Sequence, residues 1–457
     1  MPETQTLKRS TPDLAIHVEG PTHFTPGDTI SGTVDRASHF VNPHANVTLT
    51  LHGRVHATVK RSPNDVTDYE SEFSLFDTRA TTLTLWDGPV HVEEGGDPAS
   101  WPFVINIPPF VHPGTSRWSR ELDKTSYEPL DVGQRPLPDT FAFNSSGLTY
   151  GLNTFVEYYL EAKLAVTHRG AWSTEEATMP VVLRTLHPGP PIDHFDGRLQ
   201  RCYRDGRFLS HRLLPGCENM RLSSSQKMQR LFHSRHIPSL AVEYVAETPD
   251  VIQLDNPTPV PFFLRARPKW ELTSDILQNV PQKIRVDWVR ADLISHTEAK
   301  ALGALKEHAA AGDMEHSLGN CTWTHGSPVH LPFLPNDPPL NLGELMDLRV
   351  GQDPRFRRAY RRRIYPSFTA FNIKHTRHNL WWTVGVSIAG EKNEIDILKP
   401  VKILPPACDG PGARGDESQP PPPFVARRTE SWAKPPPDAD APPAYCPPDG
   451  AQGDGPR

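Results

Sequence analysis

Alternation of apolar and polar positions dominates much of the chain. Val47, Leu49, Leu51, Val55, Ala57 and Val59 share one parity, with Thr48, Thr50 and Arg54 on the other. That period of two predicts a strand with one buried and one wet face. The pattern returns in Val156, Tyr158, Leu160, Ala162, Leu164 and Val166, interleaved with Glu157, Tyr159, Glu161 and Lys163, and ends at the turn His168-Arg169-Gly170. Earlier, Phe24-Thr25-Pro26-Gly27-Asp28-Thr29-Ile30-Ser31-Gly32 predicts a turn between two strands: Pro26 presets φ and Gly27 accepts the positive φ of a type II turn. Several strands at this spacing over residues 13–185 predict a β-sandwich.

Between Thr185 and Ser239 the alternation fails. Arg198, Arg201, Arg204, Arg207, Arg212, Arg221, Lys227, Arg230 and Arg235 mix with Ser223-Ser224-Ser225, so residues 186–239 are expected to be a long basic connection between domains. Alternation resumes at Ala241-Val242-Glu243-Tyr244-Val245 and continues through Ile284-Arg285-Val286-Asp287-Trp288. It is clearest where Trp382, Val384, Val386 and Ile388 lead through the turn Gly390-Glu391-Lys392-Asn393 to Ile395-Asp396-Ile397-Leu398 and Val401-Lys402-Ile403-Leu404. Residues 240–405 therefore form a second β unit. One segment breaks the pattern: from Thr297 to Ala311, Ala, Leu, Glu and Lys dominate, and Leu302, Leu305 and Ala309 recur at helical spacing. A short surface helix is expected there.

A length of 457 residues suits two domains, and 50 prolines, each lacking a backbone donor, exclude a fold of mainly long helices. Mean hydropathy is −0.51, low for a wholly packed chain. The deficit is concentrated at one end: 15 of the 53 residues from Pro405 onward are proline, and residues 406–457 are expected to be a disordered tail. Residues 1–12 are polar and expected to be flexible. The net charge of −6 sets up no global attraction for nucleic acid, which is not an expected partner. Five cysteines, odd in number and without C-x-x-C spacing, argue for a reducing compartment. Met1 to Ser10 lacks the apolar run of a signal peptide, and no stretch reaches the ~20 apolar residues of a membrane span, so a cytoplasmic location is expected.

The order of these features resembles an arrestin. Pro26 to Gly32 resembles the early "PGD-x-hydrophobic-SG" signature of arrestin N-domains, and Phe155-Val156-Glu157-Tyr158-Tyr159-Leu160-Glu161-Ala162 is similar to their late-strand motif. Tyr365-Pro366-Ser367-Phe368 through Ile373, Trp381 to Ile388, and Pro400 to Leu404 resemble the closing strands of the alpha-arrestins, the fungal-type arrestin-domain family. The resemblance covers about residues 13–405 and implies an all-β body of two immunoglobulin-like sandwiches. Two features depart from it: the basic connection is longer than the family's short hinge, and the helical insertion near Ala301 is extra. The charged inter-domain core by which visual arrestins sense receptor phosphates is not identifiable in the sequence.

The sharpest chemical motif is Pro442-Pro443-Ala444-Tyr445, which matches the P-P-x-Y ligand of WW domains. A polyproline II segment is already extended, loses little entropy on docking, and slots its rings between aromatic side chains, while the tyrosine fills a second pocket. A chance match in proline-rich sequence is the competing explanation. In alpha-arrestins such motifs recruit HECT-type ubiquitin ligases. The resemblance thus implies a non-enzymatic adaptor, recruited to plasma membrane and endosomes, that links cytoplasmic tails of plasma-membrane transporters or receptors to a WW-domain HECT-type ligase for ubiquitination and endocytosis. The alternative is an arrestin-clan sorting scaffold that acts without ubiquitin.

Arg355, Arg357, Arg358, Arg361, Arg362 and Arg363 form a local cationic run suited to an acidic or phosphorylated cargo tail or to lipid headgroups; a solvated loop is the plainer alternative. Arg428 stands three residues before Ser431, a spacing that basophilic kinases prefer. For catalysis the sequence offers no Gly-x-Ser-x-Gly, no phosphate-binding glycine loop and no H-E-x-x-H. His308, His316, Cys321 and His325 lack zinc-ligand spacing, and no cofactor or metal is expected.

Overall fold

The computed structural model describes residues 13–60, 68–112, 124–128, 135–146, 151–168, 171–195, 199–221, 223–224, 226, 237–303, 306–323, 328–334, 337–351 and 363–408. These residues are nearly all β. The first group of strands is β1 (Leu14–Glu19), β2 (Thr29–Arg36), β3 (Phe40–Lys60), β4 (Asp68–Ser74), β5 (Thr82–Val92), β6 (Ala99–Asn106), β7 (Phe141–Ser146), β8 (Gly151–His168) and β9 (Ala171–Val181). They form two antiparallel sheets, β1-β2-β6 and β4-β3-β8-β7, with β5 also on β3 and β9 also on β8. Val34, Leu49, Leu51, Val55, Tyr158 and Leu160, all on inward parity, fill the space between them.

The second group is β10 (Leu199–Leu209), β11 (Ser239–Pro249), β12 (Val251–Gln253), β13 (Phe263–Pro268), β14 (Arg285–Leu302), β15 (Glu307–Thr322), β16 (Val329–His330), β17 (Leu340–Asn341), β18 (Phe368–Ala370), β19 (Ile373–Ile388) and β20 (Glu391–Leu404). Its sheets run β10-β11-β13-β17 and β12-β20-β19-β14-β15, with β16 on β14 and β18 on β19. A stacked pair, Phe262 and Trp382 at 4.2 Å, lies at the centre of this second core.

Local chemistry explains the corners. Asp28 N–H closes the Pro26-Gly27 turn on the Thr25 carbonyl at 3.1 Å, and Gly27 holds φ +92° at the third position, as a type II turn requires. In β3, Pro43 has no donor for the ladder; the register shifts between Asn42 and Ala45, and the Asn42 carboxamide accepts from His44 N–H at 2.8 Å. The hairpin from β19 to β20 turns on Ala389 and Gly390, both at positive φ, so Glu391 already belongs to the strand.

Two expectations are corrected. The stretch 186–239 is not merely a connection, because β10 lies inside it and pairs along its whole length with β11, from Leu199↔Pro249 to Leu209↔Ser239. Its alternation is weak because the inward positions include Gly206, where a Cβ would stand 2.5 Å from the Tyr244 ring. Its arginines stitch strands together: Arg201 pairs with Glu247 at 2.6 Å, and Arg204 donates to the Asp396 carbonyl at 2.9 Å. The expected helix over 297–311 is also absent. Thr297 to Leu302 ends β14, Glu307 begins β15, and the two pair as a hairpin.

Candidate functional site at the seam between the sandwiches

The alanine-rich hairpin explains how the two sandwiches join. Ala299, Ala301, Ala310 and Met314 leave their own core and pack into that of the first sandwich, together with Phe371 and Ile373. Small side chains are needed because backbones approach closely here. A Cβ on Gly312 would stand 2.8 Å from Ser145 Cβ and 2.9 Å from the Phe143 ring on β7. Helical propensity is a weak prior, and this contact overrides it. Hydrogen bonds fix the approach: Leu302 N–H donates to Ser71 Oγ at 2.7 Å, Tyr127 N–H to the Phe371 carbonyl at 2.8 Å. Phe73 stacks on Phe371 at 4.9 Å and Tyr69 on His308 at 3.7 Å. Gly312→Val is expected to lower stability by about 1–3 kcal/mol by overpacking the seam, whereas Ala311→Val on the exposed parity changes little; urea titrations of both variants check this.

Beside this strip lies a buried charged cluster drawn from three separate segments. Asp139, just before β7, is buried; its Oδ1 accepts from Thr185 N–H at 2.6 Å and from the Thr185 hydroxyl at 2.5 Å. Its Oδ2 faces Arg363 Nη2 at 3.5 Å, and Arg363 comes from the second sandwich, just before β18. Arg184 joins from the end of the first. Burial pushes the Asp139 carboxyl above its ordinary range, against the pull of the Thr185 bonds and of the two guanidiniums. Burial and the neighbouring Arg363 push the Arg184 guanidinium down, with Asp255 and Asp139 opposing. His23 is pushed down by burial and then by Arg184 and Arg363. One buried carboxylate thus ties together the first sandwich, the segment leaving it and the second sandwich. The segment leaving β9 is also held from the far end of the chain, since His187 N–H donates to the Pro406 carbonyl at 2.7 Å and Cys408 N–H to the His187 carbonyl at 2.9 Å.

Arg363 departs from the expected outward-facing cationic run. It is only 16% exposed, its guanidinium lies 5.2 Å from the Tyr365 ring centre, and Asp139 occupies it. Arg355, Arg357, Arg358, Arg361 and Arg362 lie outside the described residues, as do Ser431, Pro442, Pro443 and Tyr445. His308, His316 and Cys321 are spread along β15, and His325 is outside the described residues. Among the described residues no group of three or more His, Cys, Asp or Glu side chains is placed to hold a metal, and no helix is long and apolar enough to cross a membrane. The charged cluster escapes sequence reading because its members have no common spacing: Asp139 and Thr185 are 46 residues apart, and Arg363 stands in a run of similar arginines.

No protein-family model matches the chain, and no curated protein matches it.

Proposed function

We propose that this protein is an alpha-arrestin-like adaptor without catalytic activity of its own. In this reading the two-sandwich body takes the cytoplasmic tail of a transporter or receptor, and the tail of the chain brings a WW-domain HECT-type ubiquitin ligase to it. The observation that carries the reading is Pro442-Pro443-Ala444-Tyr445 downstream of a body of two joined β-sandwiches. Supporting it, buried charge and small-residue packing at the seam hold the two sandwiches together. Arg355, Arg357, Arg358, Arg361 and Arg362 supply the cations for an acidic cargo segment or an anionic leaflet, at about 1 kcal/mol per residue near the surface.

Removing residues 409–457, which spares the Pro406 and Cys408 bonds to His187, tests the ubiquitin-dependent route. Surface turnover of the cargo is expected to slow towards the rate in cells lacking the protein. Turnover that stays at the full-chain rate would instead support a sorting scaffold that works without the ligase.

A further inference from the structure

A layer of buried imidazoles separates the two hydrophobic cores. Along β14 the inward side chains run Leu293, Ser295, Thr297, Ala299; Leu293 belongs to the second core and Ala299 to the first. Along β19 they run Ile373, His375, His378, Leu380, with Ile373 in the first core and Leu380 in the second. β15 repeats the order with Met314, His316 and Leu318. Three adjacent strands therefore turn polar at the same level, where one core gives way to the other. His375 and His378 are three residues apart and would face opposite sides of a regular strand. A register irregularity opposite His296 and Glu298 turns both inward.

The rings have little to receive a second proton. His375 Nδ1 shares a hydrogen bond with Thr297 Oγ1, and His378 Nδ1 with Ser295 Oγ, each at 2.9 Å. Both Nε2 atoms are buried without a partner. A charged ring would therefore carry an unbonded N–H in an apolar setting. Around His375, β7 contributes Phe141 at 5.0 Å, β18 contributes Phe368 at 5.7 Å, and the segment before it contributes Tyr365 at 6.2 Å. The charges that act on the ring come from His378, His316 and His296, all of which oppose protonation. Arg363 and Asp139 act on the Tyr365 phenol, with the Arg363 guanidinium 5.2 Å from its ring centre. Burial, reinforced by those histidines, holds His375 well below the usual imidazole range. Burial holds His378 at about 4, with His316 adding to it and a backbone hydrogen bond opposing it.

We propose that this layer is an acid-sensitive release between the sandwiches: charging its imidazoles favours an opened seam, in which His375 loses Phe141 and meets water, over the closed one. The closed form prefers neutral rings, while an opened form titrates near the ordinary ~6.5. Closure is fully stable above that value and weakens as pH falls through the window down to the closed-state pKa. For His378 alone, the equilibrium shifts towards opening about 20-fold between pH 7 and pH 5.

Hydrogen exchange of the full chain, corrected for intrinsic pH dependence, tests the release. From pH 7 to pH 5, peptides covering Ala299–Leu302 and Ala309–Met314 are expected to lose protection at least about 20-fold while Val384–Ile388 stays protected. In His375→Gln/His378→Gln that response is expected to vanish. Unchanged seam exchange, simultaneous loss in all three regions, or an undiminished response in the double variant would each overturn the proposal. Should the double variant not fold, NMR titration of the imidazoles in the wild-type chain decides instead. Values for His375 and His378 clearly below 6 support the release, and values near 6.5 overturn it.

Discussion

Asp139→Ala is expected to destabilise the full chain by about 3–5 kcal/mol, the usual penalty for removing one partner of a buried ion pair. The substitution leaves three donors behind: the Thr185 N–H, the Thr185 hydroxyl and Arg363 Nη2. Arg363 and Arg184 would then repel each other without the opposing charge of the carboxylate, and the Arg184 guanidinium is already pushed down by burial and by Arg363. Two companion variants separate charge from hydrogen bonding. Asp139→Asn keeps an acceptor for Thr185 and should cost about 1–3 kcal/mol. Asp139→Leu with Arg363→Met removes both members of the pair and should recover much of the loss, because replacing an ion pair with apolar side chains is often neutral. Urea titrations at pH 7 check all three. A loss below 1 kcal/mol for Asp139→Ala would show that the cluster does not tie the sandwiches.

Tyr445→Ala is expected to weaken binding of a WW domain by about 2 kcal/mol or more, roughly 30-fold, as for an aromatic anchor lifted from its pocket. Pro442 and Pro443 are unchanged and can still offer their rings to the aromatic groove, so the loss falls on the second pocket. Thermal unfolding should not move, since Tyr445 lies 37 positions beyond Cys408, the last described residue of the body. Calorimetric titration of the full chain with an isolated WW domain reads the affinity, and equal affinities for the two chains would sink the motif. Phosphorylation at Ser431 adds negative charge 11 residues before Pro442, and a Ser431→Glu chain in the same titration shows whether it tunes docking.

How legible the protein was depended on how local each signal is. The Pro26-Gly27 turn and strands β3 and β8 could be read because the two faces of a half-buried strand differ in every second residue, and a type II turn demands a particular residue at a particular place. β10 was missed because a close approach to Tyr244 forces glycine where an apolar residue would have revealed the pattern. The Ala299 to Met314 hairpin was misread for a related reason. Its small side chains answer to a neighbouring sandwich, and alanine in a tight interface looks the same in sequence as alanine in a helix. The charged cluster was illegible altogether, since Asp139, Arg184 and Arg363 acquire meaning only once three distant segments meet. The histidine layer was equally hidden, because the bulge that turns His375 and His378 to the same side is a property of the pairing with β14.

The central claim is that one molecule holds cargo with its body and a ligase with its tail. Proximity labelling in cells, comparing the intact chain with Tyr445→Ala, tests both halves together. The account predicts that labelling of a WW-domain HECT-type ligase collapses in the variant while labelling of plasma-membrane transporters or receptors persists. Ligase labelling that survives the substitution, or an intact chain that labels no membrane protein, would contradict it.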